Sequence, residues 1–247
     1  MPNLSYIDHN NFVRKAASSA KTDCSGFFAD QFSNPAPREG HYKETGQEIL
    51  EQLNGKVDVF VMGAGTGATI SGISKLLKEK TGQRAKCILA DPIGSSLYSW
   101  AKFRTLYAPH DREGHRPRTD FRTMVEGIGL NWLSPNLETA LVDDGEKVTD
   151  EEALNMARYI LEHEGLLVGS TTALHVAAAV KHVMRSGCKE KQIVTLACDD
   201  GFRHLSKFYS PSKWEKFGFR RHIVDVSNPK DLGFISTTLN NHNAKSN

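Results

Sequence analysis

The sequence predicts an α/β domain built on a mainly parallel sheet with flanking helices. Three observations carry this. Short apolar runs alternate with helical patterns from Val57 to Cys198, as expected when helices cross over between parallel strands. One stretch, Val57 to Lys80, passes from a β-branched run through Gly63-Ala64-Gly65-Thr66-Gly67-Ala68-Thr69 into a pattern with Ile70, Ile73, Leu76 and Leu77 on one helical face. Four turns rich in glycine or hydroxyl residues (63–69, 91–96, 127–129 and 169–172) follow the apolar runs or lie near their ends. Ligands of open α/β sheets gather at the carboxyl ends of strands, so these turns are expected to converge on one crevice.

In chain order, Asp8 can cap a helix through Phe12, Val13, Ala16 and Ala17 to about Lys21. Cys24 to Phe32 reads as a short strand-like piece, and Pro35 and Pro37 are expected to forbid a regular helix after it. A second helix is expected from His41 or Thr45 to Leu53, with Ile49, Leu50 and Leu53 inward. Lys86 to Asp91 is the strand after the glycine turn, closed by Asp91-Pro92. From Ser99 to Arg122 the pattern weakens. Ala108 to Arg118 is polar and turn-rich, and reads as an exposed loop. The spacing of His110 and His115 fits neither helix nor strand, which favours a solvated insertion over a metal pair.

Leu141 to Asp144 reads as a strand end, and Thr149 with Glu152 forms a capping box before a helix with Ala153, Met156, Ala157, Ile160 and Leu161 inward. Gly165 to Gly169 is a very short strand, with Ser170-Thr171-Thr172 capping a buried helix. Gln192 to Cys198 reads as a buried strand ending in Asp199-Asp200-Gly201. That pair reads as a strand-end turn rather than a metal site, and Cys198 as a buried inert thiol. Aromatics at Trp214, Phe217 and Phe219 precede a polar tail from Thr237 that is expected to fray.

Composition excludes several function classes. A length of 247 residues suits one large domain or one and a half, and 39% apolar residues suffice for a real core. A net charge of +2 carries no nucleic-acid footprint. No apolar run approaches the ~18 residues of a membrane span. The stretch from Met1-Pro-Asn-Leu reads as neither a signal h-region nor an Arg-rich transit pattern. Cys24, Cys87, Cys188 and Cys198 are widely spaced, which reads as reduced intracellular thiols, in the cytoplasm or a mitochondrion.

The glycine turn is an anion site by construction. Glycines admit positive φ and let N–H groups approach a ligand, and a helix N-terminus adds free donors and partial positive charge. By spacing alone, Gly63 to Ala68 fits the dinucleotide pattern G-x-G-x-x-[GA], and Asp91 stands where a ribose-binding acid belongs. The hydroxyls of Thr66 and Thr69 suit a terminal phosphate monoester better, and Pro92 makes Asp91 a turn residue.

Gly65-Thr66-Gly67-Ala68-Thr69 resembles the phosphate cup of the fold-type II pyridoxal-phosphate enzymes, the cysteine synthases and cystathionine β-synthases. The likeness extends through Phe27 to Pro35, His41-Tyr42, Thr45-Gly46-x-Glu48-Ile49, Asp91-Pro-x-Gly94-Ser95, Glu126-Gly127-Ile-Gly129, Glu164 to Thr171 and Asp199 to Ser206. It is strongest to fungal-type cysteine synthases. It implies the tryptophan synthase β-like fold and pyridoxal 5'-phosphate as cofactor. Gly65, Thr66, Gly67, Ala68 and Thr69 would bind the phosphate, Gly127 would lie by the cofactor's face, and Thr171 would bond the ring nitrogen. The implied reaction joins a serine derivative such as O-acetylserine to sulfide, in cysteine biosynthesis, by an enzyme that is a homodimer when complete.

Three departures accompany the likeness. The chain contains no Ser-x-Lys-x-Arg, the family context of the cofactor-bearing lysine, and no Thr/Ser-x-Gly-Asn-Thr-Gly substrate loop. The resemblance therefore implies a carboxyl-terminal portion: residues 1–22 a remnant of the small domain, 23–208 the cofactor domain, 209–247 an extension. Such a portion is expected to be impaired alone, with no catalytic residue of its own. Ala68 replaces a cup glycine, a cost only if its φ is positive. Asp200 replaces a serine and Phe202 a polar residue. A non-catalytic phosphate- or partner-binding remnant and a nucleotide-dependent oxidoreductase remain as alternatives.

Overall fold

A computed structural model describes residues 10–107, 123–187, 190–223 and 225–237. Four strands, β1 (Val59–Gly63), β2 (Lys86–Pro92), β3 (Asp144–Val148) and β4 (Ile193–Val194), form one sheet in the order β3-β2-β1-β4. Every pairing is parallel, with Gly63 beside Ala90 and Pro92 beside Val148 at the carboxyl ends. This is the α/β architecture that the alternation predicts.

The sheet is covered on both faces, which is why β1 and β2 read as continuous apolar runs. Side chains alternate along each strand. Val59, Val61, Ile88 and Ala90 face α7 (Asp150–Glu164) and α8 (Ser170–Ser186). Phe60, Met62, Cys87 and Leu89 face α3 (Thr45–Gln52), α4 (Ala68–Lys80), α5 (Leu97–Phe103) and α6 (Pro135–Glu138). In α4 the predicted stripe of Ile70, Ile73, Leu76 and Leu77 is fully buried.

The amino-terminal helices differ from expectation in detail. The first helix, α1, spans Phe12–Thr22, and its cap is Asn11, whose side chain accepts the Val13 N–H. Asp8 lies outside the described residues. Of the expected apolar face only Val13 is buried. Cys24 to Phe32 forms no strand, because no described strand runs beside it. Asp30 instead turns the chain at positive φ and accepts N–H groups of Phe32 and Ser33. The prolines start a helix rather than prevent one. In α2 (Ala36–Lys43), Pro35 is the N-cap and Pro37 sits in the first turn, where a missing N–H costs nothing. The expected helix ending near Leu53 is α3, which begins at Thr45, the second of the two expected starts; His41 belongs to α2, and the two helices are separated at Glu44.

Further along, α5 lies where the pattern weakens, and the loop 108–118 with His110 and His115 falls outside the described residues. β3 begins at Asp144, so Leu141 to Asp143 precede the strand rather than end it. Its acidic residues, half-buried Asp144 and buried Glu146, are paired. Arg185 from α8 bonds Asp144 at 2.6 Å and also Glu146, Lys102 pairs with Asp144, and His182 lies 3.2 Å from Glu146. The capping box of Thr149 and Glu152 is formed in both directions. Gly165 to Gly169 contributes one bridge, Val168 to Asp200, rather than a strand. The expected buried strand from Gln192 to Cys198 is a two-residue edge strand, half-buried because β4 has a neighbour on one side only.

After residue 208 the described chain runs through α9 (Pro211–Phe217) and folds back on α7. Trp214 and Ile235 join its core, and buried Asn155 bonds Arg220 and His222. The polar tail beyond 237 lies outside the described residues. No described helix is long and apolar enough to cross a membrane.

Candidate cofactor site

The cup lies at the carboxyl end of β1, where the strand runs out at Gly63 and α4 begins at Ala68. Gly67 is the N-cap of α4, at φ 84° and with no side-chain cap. A Cβ there would collide with Leu137, and one at Gly65 would collide with the Gly127 carbonyl. The glycines are therefore demanded by two separate close approaches. Ala68 is not among the positive-φ residues and starts the right-handed helix, so its methyl carries no backbone strain.

The donor set suits a phosphate monoester. The N–H groups of Gly65, Thr66, Gly67 and Thr69 have no hydrogen-bond partner among the described residues. They surround the positive end of a helix of 13 residues. Thr66 and Thr69 add half-buried hydroxyls. Thr66 Oγ1 accepts a long bond from Ala68 N at 3.4 Å, and Thr69 Oγ1 lies 3.0 Å from His41 Nε2.

Two other turns meet the cup. Gly127, at φ 83°, is exposed, with its carbonyl against Gly65. Thr171 Oγ1 donates to the Glu126 carbonyl at 3.3 Å. Ser170 and Thr172 are not caps for α8, whose N-cap is Gly169 without a side-chain bond. Their hydroxyls face across the crevice instead, Ser170 accepting from Glu126 N and Thr172 from Cys198 N. Gly127, Thr171, Cys198, Asp199, Arg203 and His204 line a cavity of about 540 Å³. The predicted residues 65–69, 127 and 171 thus share one end of the sheet.

Asp91 is 1% exposed, and its carboxylate accepts the Tyr98 N–H at the start of α5. Burial pushes its pKa up to about 6. A buried carboxylate engaged in a helix turn is not open to a ribose, which removes the support for the dinucleotide reading. Asp200 is engaged as well, accepting the Phe202 N–H as cap of the turn Gly201–His204. It is Asp199, not Asp200, that lines the cavity, paired with His204 at 2.7 Å. Cys198 is exposed rather than buried. Its sulfur lies 3.9 Å from His175, and desolvation together with the Asp199 charge pushes its thiol up to about 11, so it stays protonated. Cys24 and Cys87 are likewise free thiols.

Three residues outside the predicted set hold the cup. Ser134 Oγ donates to the Thr66 carbonyl at 2.6 Å while accepting Leu137 N as cap of α6. Ser134-Pro135 before Glu138 is a legible helix start that could have drawn notice. His175 is fully buried on α8 and accepts the Gly63 N–H at 2.8 Å. Burial lowers its pKa to about 4, so it is neutral. His41 stood within a motif but without a role.

A family model described as pyridoxal-phosphate dependent enzyme matches residues 5–199. Cysteine synthase 2 of Neurospora crassa is 48% identical over 187 residues, covering 74% of this chain and 41% of that protein. Cysteine synthase 2 of Schizosaccharomyces pombe is 42% identical over 238 residues, covering 93% and 58%. Cysteine synthase A of Escherichia coli is 36% identical over 177 residues, covering 71% and 51%. The chain therefore spans between 41% and 58% of the length of these relatives. With most of its length matched and a cup suited to a phosphate monoester, the chain belongs to the pyridoxal-phosphate dependent enzymes, and its cofactor is pyridoxal 5'-phosphate.

Proposed function

We propose that this is a cysteine-synthase-type protein for β-replacement on a serine derivative such as O-acetylserine, with sulfide as the incoming nucleophile, and that the chain alone turns over poorly. The observation that carries the reading is the set of N–H donors at the head of α4 that have no partner among the described residues, pressed against the Gly127 turn. Bound there, the cofactor supplies an electron sink for charge that develops at the amino acid's α-carbon. Residues 65–69 hold its phosphate and Gly127 bounds its face. Thr171 is assigned to the ring nitrogen. A neutral hydroxyl does not keep that nitrogen protonated, which suits a replacement needing only a moderate sink.

Residues 23–208 are read as the cofactor domain, 1–22 as a remnant of a smaller domain and 209–247 as an extension. The complete enzyme is read as an intracellular homodimer, cytoplasmic or mitochondrial, with a small amino acid as substrate and no nucleic-acid partner. The sequence Ser-x-Lys-x-Arg does not occur in the chain, which supports impaired chemistry.

Titrating the purified chain with pyridoxal 5'-phosphate, followed by absorbance and fluorescence, tests this. Saturable binding that inorganic phosphate displaces is expected, with no borohydride-fixed adduct at one specific lysine by mass spectrometry. Absence of binding would overturn the reading. A specific adduct, or rapid cysteine formation from O-acetylserine and sulfide, would overturn the impairment. Binding without any turnover, even when the segment preceding the cup in the longer relatives is supplied, would favour a non-catalytic phosphate-binding remnant.

A further inference from the structure

We propose that His41 is a positioning residue of the phosphate cup, fixing the Thr69 hydroxyl so that it donates into the cup. The inference rests on the cup reading above. It starts from two glycines. Gly72 on α4 lies under α2, where a Cβ would meet Arg38, Tyr42 and His41. Gly46 on α3 lies 2.7 Å, by the same measure, from Leu76 of α4. Without side chains at these points, the α2–α3 pair seats directly on α4. Seating places the His41 ring over the first turn of α4, with Nε2 3.0 Å from Thr69 Oγ1 and Nδ1 3.0 Å from Thr45 Oγ1. The ring is half-buried, and burial holds its pKa below the ordinary histidine value, which favours a neutral imidazole.

A neutral imidazole has one N–H and one lone pair, so the row Thr45–His41–Thr69 has two orderings. In one, Nδ1–H donates to Thr45 and Nε2 accepts the Thr69 proton. Thr69 then turns lone pairs toward the cup and repels a phosphate oxygen. In the other, Thr45 donates to Nδ1, and Nε2–H donates to Thr69. The Thr69 proton is then free to reach the phosphate, alongside the N–H groups of Gly65, Thr66, Gly67 and Thr69, which have no partner among the described residues. A phosphate in the cup selects the second ordering. Thr45, the first residue of α3, can supply the proton that Nδ1 accepts in that ordering.

The test compares pyridoxal 5'-phosphate, pyridoxal and inorganic phosphate as probes on the full chain. His41→Phe should weaken pyridoxal 5'-phosphate and phosphate about tenfold and leave pyridoxal unchanged. His41→Gln, whose amide can still donate near the Nε2 position, should restore most of the loss. In a Thr69→Val background the His41→Phe effect should vanish. Nitrogen-15 shifts of His41 in the wild type should show the Nε2–H tautomer once phosphate is bound. Equal loss for pyridoxal and its phosphate would mean that His41 merely supports the α2–α4 packing and would overturn the inference, as would additive effects of the two substitutions or an Nδ1–H tautomer with phosphate bound. If His41→Phe does not fold, the Gln variant and the tautomer shift decide the matter. Wild-type protein that binds none of the phosphates overturns the cup reading and this inference with it. Wild type that binds them, with His41 variants that bind equally well, overturns this inference alone.

Discussion

Gly67 and Ala68 are adjacent, yet their backbones impose opposite demands. Gly67 is at φ 84° and its absent side chain leaves room for Leu137. Gly67→Ala should destabilise the protein by about 2 kcal/mol or more, the left-handed cost plus the collision, and should abolish saturable pyridoxal 5'-phosphate binding. Ala68 is a helical residue. Ala68→Gly should cost no more than about 1 kcal/mol, through helix propensity, and leave binding unchanged. Denaturant unfolding with a cofactor titration on each variant checks both. Ala68 therefore carries no left-handed strain, because the residue needing glycine is the one before it. Spacing located the cup, but the sign of φ at each position depends on how the loop meets α6, which spacing does not encode.

At the scale of elements, the reading succeeded where pattern and burial coincide. β1, β2, α4 and α7 were legible because both sheet faces are covered, giving apolar runs, and because α7 carries a capping box in its own sequence. It failed where distant partners decide. β3 reads as polar, Asp144-Gly-Glu-Lys-Val148, and only Arg185, His182 and Lys102 make it burial-competent. The strand expected to Cys198 stops at Val194, after two residues of pairing with β1. The site divided in the same way. Residues 65–69, 127 and 171 are proposed from motifs, whereas Ser134 and His175 touch the cup through bonds to main-chain atoms, which leave no motif. Ser134 makes a testable case. It ties α6 to the cup through the Thr66 carbonyl and also caps α6. Ser134→Ala should cost about 1 kcal/mol and up to about fivefold in pyridoxal 5'-phosphate affinity. Ser134→Thr, if its methyl fits, should recover most of both. An unchanged affinity would show that the loop keeps its shape without the tie.

Across the whole molecule, two buried groups at the same end of the sheet give stability opposing dependences on pH. Asp91 at the end of β2 has its carboxyl raised by burial to about 6, against ~3.9 in an unfolded chain. Between those values the folded protein holds a proton that the unfolded chain has lost. Its contribution is therefore present at about pH 4 and lost as pH rises through about 6. His175 on α8 is depressed by burial to about 4, against ~6.5 unfolded. Its contribution is present above about pH 6.5 and lost as pH falls through about 4. Each shift corresponds to roughly 3 kcal/mol across its window, and from pH 4 to 6 the two largely cancel. Removing one should expose the other. Asp91→Asn keeps an oxygen for the Tyr98 N–H, and its stability relative to wild type should fall as pH drops from 6.5 to 4.5. His175→Gln keeps an acceptor for Gly63 N, and its stability relative to wild type should rise over the same interval. Denaturant unfolding of the three proteins across that range measures the two slopes. Parallel curves for wild type and either variant would refute the assignment of that group.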